Sequence, residues 1–161
     1  MFTKRLISGI VLVIIAAVLL GEGSAVLYFG SMAISLIGLY ELYRVMKIER
    51  SAPGFVGYAA VVAYYWTMGN REQYVTFLAI ISLMILMTIY VVTFPKYGTE
   101  QITVAFFGIF YVGIMFSYLY QVREMPDGKY LVWLILLSSW GCDTFAYCAG
   151  KLFGKHKMTP K

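Results

Sequence analysis

Long stretches without a charged side chain constrain this sequence more than any other feature. A helix needs about 20 mostly apolar residues to cross the ~30 Å hydrocarbon core of a bilayer. Five uncharged runs of fifteen residues or more occur, at residues 6–21, 23–40, 51–70, 73–95 and 101–122. The pattern predicts an all-α, polytopic membrane protein in which residues 1–161 form a single membrane domain.

The overall composition agrees with this class. Charged residues make up 13% of the chain and hydrophobic residues 61%, whereas a soluble domain carries about 25% charged residues. The N-terminal segment resembles a signal peptide, but further apolar runs follow at once, so it is interpreted as an uncleaved first helix. Cys142 and Cys148 lie six residues apart, which matches no redox pair, and with a single His they predict no zinc site.

Turn residues and charge clusters divide the chain into six predicted helices, and all four prolines fall outside them. Six spans place ten Lys and Arg residues on one side and three on the other. The positive-inside rule then puts both termini in the cytoplasm of a multi-pass, bacterial-type plasma membrane protein. Tyrosines near the span ends, including Tyr43, are interpreted as interfacial anchors. The predicted helices are approximately Leu6–Leu20, Ser24–Lys47, Gly54–Met68, Tyr74–Phe94, Ile102–Gln121 and Tyr130–Phe153.

Asp143 is the acidic residue within the otherwise uncharged segment Tyr130–Gly150. A charged carboxylate at the centre of a bilayer costs roughly 2.5–3.5 kcal/mol on insertion scales, so such groups usually face a cavity or a partner. Helical steps of three and four residues put hydroxyl, carboxylate, phenol and glycine positions on one face. These are Ser139, Asp143, Tyr147, Gly150 and Gly154.

A cluster of basic residues follows this polar face. It comprises Lys151, Lys155, His156, Lys157 and Lys161. A polar intramembrane stripe that leads into ammonium groups suits an anionic lipid headgroup and a phosphorylated co-substrate. The same lysines are also typical of a cytoplasmic anchor that is attracted to anionic lipid at ~1 kcal/mol per charge.

Plainer interpretations stand beside each of these signals. Asp143 is also compatible with a structural carboxylate that is hydrogen-bonded to Tyr118 or Arg44. Glu41 and Arg44, one helical turn apart, predict a local ion pair or a second wall of the same cavity. Gly150-x-x-x-Gly154 favours helix packing over phosphate contact.

The residues from Asp143 onward resemble a motif of phosphatidate cytidylyltransferase (CDP-diglyceride synthase), in the order Asp143-x-x-x-Tyr147-x-x-Gly150-Lys151-x-x-Gly154-Lys155-x-Lys157-x-x-Pro160. The stretches KRLISGIVLVII and GLYELYRVMK are similar to the N-terminal half of that family. The resemblance covers the whole chain, and Trp140–Lys161 is its specific part.

The resemblance implies a helical membrane enzyme, often dimeric, that transfers CMP from CTP to phosphatidic acid and releases pyrophosphate with Mg²⁺ as cofactor. Expected partners are CTP, phosphatidic acid, membrane lipids and a second copy of the chain, and no nucleic acid. Asp143 is the expected catalytic residue. The expected substrate-binding residues are Ser139, Tyr147, Gly150, Lys151, Gly154, Lys155, Lys157 and Lys161.

Family members continue past the position of Lys161 through further helices to a signature with Lys-Arg, paired aspartates and His-Gly-Gly. The resemblance therefore implies an N-terminal portion, with the main Mg²⁺ ligands beyond Lys161 and the 161 residues inactive alone. Two other functions stay open: a transport or channel subunit that uses Asp143 as a proton or ion relay, and a non-catalytic membrane scaffold. A transporter is disfavoured because the sequence has no visible internal repeat.

Overall fold

The computed structural model describes residues 13–21, 24–68 and 73–153, and these residues contain helices and turns but no strand. A π-helical segment, Ile109–Ile114, joins the fifth and sixth helices into one continuous rod. The helices are α1 (residues 13–21), α2 (Ser24–Val45), α3 (Ala52–Thr67), α4 (Gln73–Thr93), α5 (Thr99–Gly108), α6 (Met115–Glu124) and α7 (Gly128–Phe153). The predicted all-α fold is confirmed for this part of the chain.

The predicted helices coincide with the observed ones. From the second helix onward, their ends differ by at most three residues, while the first half of predicted helix 1 lies outside the described residues. Pro53 lies in the first turn of α3. Backbone N–H groups in this turn have no partner within the helix, so a proline, which lacks the N–H, costs no hydrogen bond there. At the start of α5, the Gly98 N–H donates to Gln101 Oε1 at 3.1 Å. Local sequence signals thus set the helix boundaries.

A two-bond cap ends α2. The Ile48 N–H donates to the Tyr43 carbonyl (2.9 Å) and the Lys47 N–H donates to the Arg44 carbonyl (3.1 Å). Lys47 has a φ of 56°, the left-handed conformation that this capping motif requires. The cap reverses the chain, so that α3 packs back along α2.

The π-helical segment was not predicted, because the sequence indicated one regular helix. Gly108 precedes this segment and Gly113 lies within it, and both contact neighbouring helices. A Cβ atom on Gly113 would lie 2.5 Å from Val61 Cγ2, and one on Gly108 would lie 2.8 Å from Leu39 Cδ1. Both glycines therefore let this rod approach α2 and α3 closely, which is how small residues act in membrane helix packing.

The core of the protein surrounds α3. This helix contacts α2, α4, α5 and the π-helical segment. Val61, Tyr64 and Tyr65 of α3 are buried within a cluster that also holds Leu39 and Ile109. By contrast, α7 packs on α6 at the edge, and residues 142–150 are exposed along its second half. The described residues with predicted chemistry, Ser139, Asp143, Tyr147 and Gly150, therefore lie outside the core.

Four helices in the described part are long and apolar enough to cross a membrane: Ala25–Val45, Tyr74–Thr93, Thr99–Glu124 and Gly128–Gly150. Their outward surfaces carry large apolar side chains. On α4, for example, Met84 is 64% exposed and Val91 73% exposed. Such surfaces suit hydrocarbon rather than water, so this is a membrane protein.

Candidate functional site

The polar stripe lies along the second half of α7. Ser139, Asp143, Tyr147 and Gly150 are all exposed, and their spacing of three or four residues places them on one helical face. A Cβ atom on Gly150 would meet nothing within 4 Å. Packing of Gly150 against another helix, which the sequence favoured, is therefore not seen among the described residues.

The carboxylate of Asp143 has no ion-pair partner within the described part of the chain. Arg44, one of the two partners considered from the sequence, pairs instead with Glu41 at 3.9 Å between Nη1 and Oε1. Both side chains of that pair are 64% exposed. The local Glu41–Arg44 ion pair is thus confirmed, and it contributes little to stability because solvent or headgroups screen it.

The structure does not describe the side chains of the basic cluster. Lys151 belongs to the last turn of α7, but its side chain is not described, and Gly154, Lys155, Lys157 and Lys161 lie outside the described residues. Their role in substrate binding stays a prediction.

A buried polar cluster that the sequence analysis missed joins three helices. Tyr64 Oη lies 2.8 Å from Ser117 Oγ, and Gln121 Nε2 donates to both oxygens at 3.1 Å. Nearby, Tyr65 Oη lies 3.0 Å from Ser35 Oγ. These groups satisfy one another across α2, α3 and α6, as interhelical hydrogen bonds do in membrane bundles. The cluster is therefore structural.

Tyr43 corrects one sequence interpretation. Predicted to be an interfacial anchor, it is fully buried, and its hydroxyl donates to the Ala105 carbonyl at 2.6 Å. The prediction was wrong because the sequence does not distinguish a tyrosine that faces headgroups at a span end from one that faces a neighbouring helix. Gly57 and Gly108 make room for the ring, and this contact between helices is not visible in the sequence.

An open depression of about 600 Å³ lies where α2 ends and α5 begins, with Lys47, Glu100 and Gln101 in its wall. Gln101 Nε2 donates to the Met46 carbonyl at 3.1 Å and ties the two helices together there. The wall carries one cation and one anion, so it has no strong preference for either charge.

Among the described residues, no group of three or more His, Cys, Asp and Glu side chains could hold a metal ion. Asp143 is the one carboxylate on α7. Mg²⁺ takes six oxygen ligands in octahedral geometry. The described residues therefore do not make a magnesium site by themselves, and Asp143 offers at most a single ligand.

Comparison with known proteins gives a consistent family. Residues 3–161 match the model of the Cytidylyltransferase family. The chain is 29% identical over 161 residues to a phosphatidate cytidylyltransferase of Staphylococcus saprophyticus, an alignment that covers 97% of the chain and 61% of the relative. It is 29% identical to that of Staphylococcus haemolyticus (99% of the chain, 62% of the relative) and 26% identical to that of Staphylococcus aureus (97% and 61%).

The chain thus spans about three fifths of the length of these curated relatives, as the predicted N-terminal resemblance requires. No solved structure was found to match the chain. The family match extends over nearly every residue, including both the N-terminal helices and the stretch that carries Asp143. The chain belongs to the cytidylyltransferase family.

Proposed function

We propose that the whole protein transfers CMP from CTP to phosphatidic acid and so makes CDP-diacylglycerol for phospholipid synthesis. The observation that carries the proposal is the family match over residues 3–161, together with relatives named phosphatidate cytidylyltransferase. A membrane protein with an exposed carboxylate on a span that leads into a lysine-rich segment fits such a reaction. No family match of this kind supports the two alternatives, a transporter or a non-catalytic scaffold.

In the proposed reaction, a phosphate oxygen of phosphatidic acid attacks the α-phosphorus of CTP. A new P–O bond forms there, the bond to the β-phosphate bridging oxygen breaks, and pyrophosphate leaves. Catalysis of this kind depends mainly on positioning and on neutralising negative charge. Asp143 would orient a cationic group at the reacting phosphates, while Lys151, Lys155, Lys157 and Lys161 would bind the anionic substrates, with Ser139, Tyr147, Gly150 and Gly154 completing the site.

The magnesium cofactor and the homodimer belong to the same proposal. Mg²⁺ would neutralise the triphosphate, with its main ligands beyond Lys161. A second copy or further helices would cover the α7 face at residues 142–150, since an exposed Asp143 in hydrocarbon is costly.

We further propose six spans with both termini in the cytoplasm of the plasma membrane. Although α3 has only 16 residues, about 24 Å at 1.5 Å per residue, it runs antiparallel along α2. The Tyr28 hydroxyl donates to the Tyr65 carbonyl at 2.6 Å, and Gly57 packs on Tyr43. Tyr28 and Tyr43 lie ~22 Å apart along α2, so α3 packs against residues near both ends of α2.

Cysteine labelling tests whether α3 crosses the membrane. In a background without Cys142 and Cys148, Ala52→Cys and Met125→Cys should be labelled from opposite sides, because three spans would separate them. Glu100→Cys, two spans from Ala52, should be labelled from the same side as Ala52. Labelling of positions 52 and 125 from one side would rule out α3 as a span.

The function itself is tested with the product of the complete open reading frame, purified and reconstituted in phosphatidylcholine vesicles. CTP labelled at its α-phosphate and phosphatidic acid should yield labelled lipid and one pyrophosphate per lipid formed. Omission of phosphatidic acid is the control, and it should abolish the labelled lipid. If no label enters lipid although the protein is present and inserted, the proposed activity is refuted.

A further inference from the structure

One face of α3 is exposed along the length of the helix. It carries apolar side chains spaced three or four residues apart: Phe55, Ala59, Val62, Ala63 and Trp66. Phe55 and Trp66, at its two ends, are 62% and 82% exposed. The other side of α3 packs on α2, α4, α5 and the π-helical segment. An apolar face at the edge of a membrane protein suits the hydrocarbon of the bilayer.

Anchors for the membrane interface limit the length of this face. The exposed, charged Arg50 lies just before α3 and marks the headgroup level at one end. Trp66 marks it at the other end, because tryptophan is enriched where hydrocarbon meets headgroups. The helix between these anchors has 16 residues, about 24 Å at 1.5 Å per residue. It is therefore ~6 Å shorter than the ~30 Å hydrocarbon core of a typical bilayer.

The neighbouring helices do not share this deficit. The candidate span of α4, Tyr74–Thr93, has 20 residues, about 30 Å in length. The other neighbour, α2, has 22 residues, about 33 Å in length. The mismatch with the bilayer is thus confined to the part of the membrane-facing surface that α3 forms.

Contacts at both ends of α3 prevent the helix from sliding along the bilayer normal. The Tyr28 hydroxyl donates to the Tyr65 carbonyl at 2.6 Å, and Gly57 packs on Tyr43. Tilting would shorten the height of α3 further, and snorkelling by Arg50 relieves the mismatch only at its own end. A span that is too short is otherwise accommodated when the bilayer becomes thinner around it.

We propose that the exposed face of α3 binds phospholipids with shorter acyl chains than α4 does, so that the bilayer is locally thinner by ~6 Å beside α3. The partner is a phospholipid selected by the length of its chains, whatever its headgroup. This inference rests on α3 being a membrane span, as proposed above, and does not depend on CMP transfer.

Competition between lipids at Trp66 tests the inference. In the complete protein, every other tryptophan, including Trp133 and Trp140, is replaced by Phe. The protein is reconstituted in phosphatidylcholine with brominated C18 chains, since bromine quenches an indole on contact. Unbrominated phosphatidylcholine with monounsaturated C14, C18 or C22 chains then relieves the quenching according to its affinity for this face. The C14 lipid should bind at Trp66 on the order of three- to tenfold more tightly than the C22 lipid.

A tryptophan on α4 provides the matched control. Phe77 is 61% exposed near the beginning of that helix, so Phe77→Trp is a conservative change at the membrane-facing surface. With all native tryptophans replaced by Phe, the C18 lipid should bind there at least as tightly as the C14 lipid, because α4 matches a bilayer of ordinary thickness. Tyr74→Trp, at a 45% exposed position of α4, gives the same comparison if Phe77→Trp does not insert.

The same order of chain lengths at Trp66 and in the α4 variants would overturn the inference. An unquenched Trp66 would overturn it as well, because protein rather than lipid would then cover the face. Its failure is separable from that of the proposed topology and activity. Labelling of positions 52 and 125 from opposite sides without a C14 preference at Trp66 refutes the local thinning alone, and CMP transfer is measured independently of both.

Discussion

Replacing Asp143 by Asn in the complete protein is expected to lower the rate of CMP transfer by a factor on the order of 10² or more, which is the usual effect of losing one electrostatic group from a preorganised site. Folding and insertion should be preserved, because Asn keeps the shape of the side chain. Asp143 is exposed and has no ion-pair partner among the described residues, so the substitution breaks no internal salt bridge there.

Asp127→Asn provides the matched control. It makes the same chemical change on the turn before α7, at an exposed residue whose φ of 59° suits Asn as well as Asp. Steady-state rates of both variants are compared after their expression and monodispersity have been checked. Near-normal turnover by Asp143→Asn would show that Asp143 is a structural carboxylate and that the site assignment is wrong.

The sequence predicted the helices well because their signals are local. Uncharged runs, turn residues and Pro53 each act within a few positions of the boundary that they set. Asp143 was identifiable for a similar reason, since one carboxylate in an apolar segment is unusual whatever surrounds it. These features need no knowledge of which helices are neighbours.

Features that depend on helix neighbours were not predictable in the same way. Tyr64 and Ser117 are 53 residues apart in sequence but 2.8 Å apart in space, and neither residue type is unusual in an apolar run. The burial of Tyr43 likewise depends on Gly57, which comes from the next helix. The candidate site is incomplete for the same reason, because residues 142–150 are exposed within the part of the chain that the structure describes.

The contact of Gly57 with Tyr43 should be a sensitive point of the fold. A Cβ atom on Gly57 would overlap the Tyr43 hydroxyl and lie 2.7 Å from ring atoms Cε2 and Cζ. Tyr43 is fully buried and its hydroxyl is held by the Ala105 carbonyl at 2.6 Å, so the ring cannot move aside without breaking that bond. Overpacking costs about 1–3 kcal/mol and the lost hydrogen bond about 1 kcal/mol more.

Gly57→Ala should therefore lower the free energy of unfolding by about 1–4 kcal/mol, after subtraction of the gain of up to ~1 kcal/mol from replacing Gly by Ala within a helix, measured by denaturant titration in detergent. Gly141→Ala is the matched control, because a Cβ atom there meets nothing within 4 Å, and Ala in a helix interior is favoured over Gly by up to ~1 kcal/mol. In a Tyr43→Leu background the effect of Gly57→Ala should largely disappear, since the clashing ring is gone and contacting residues are energetically coupled. Equal stability of the Gly57→Ala and Gly141→Ala variants would contradict the close packing of α3 on α2, and with it the support that this packing gives to α3 as a membrane span.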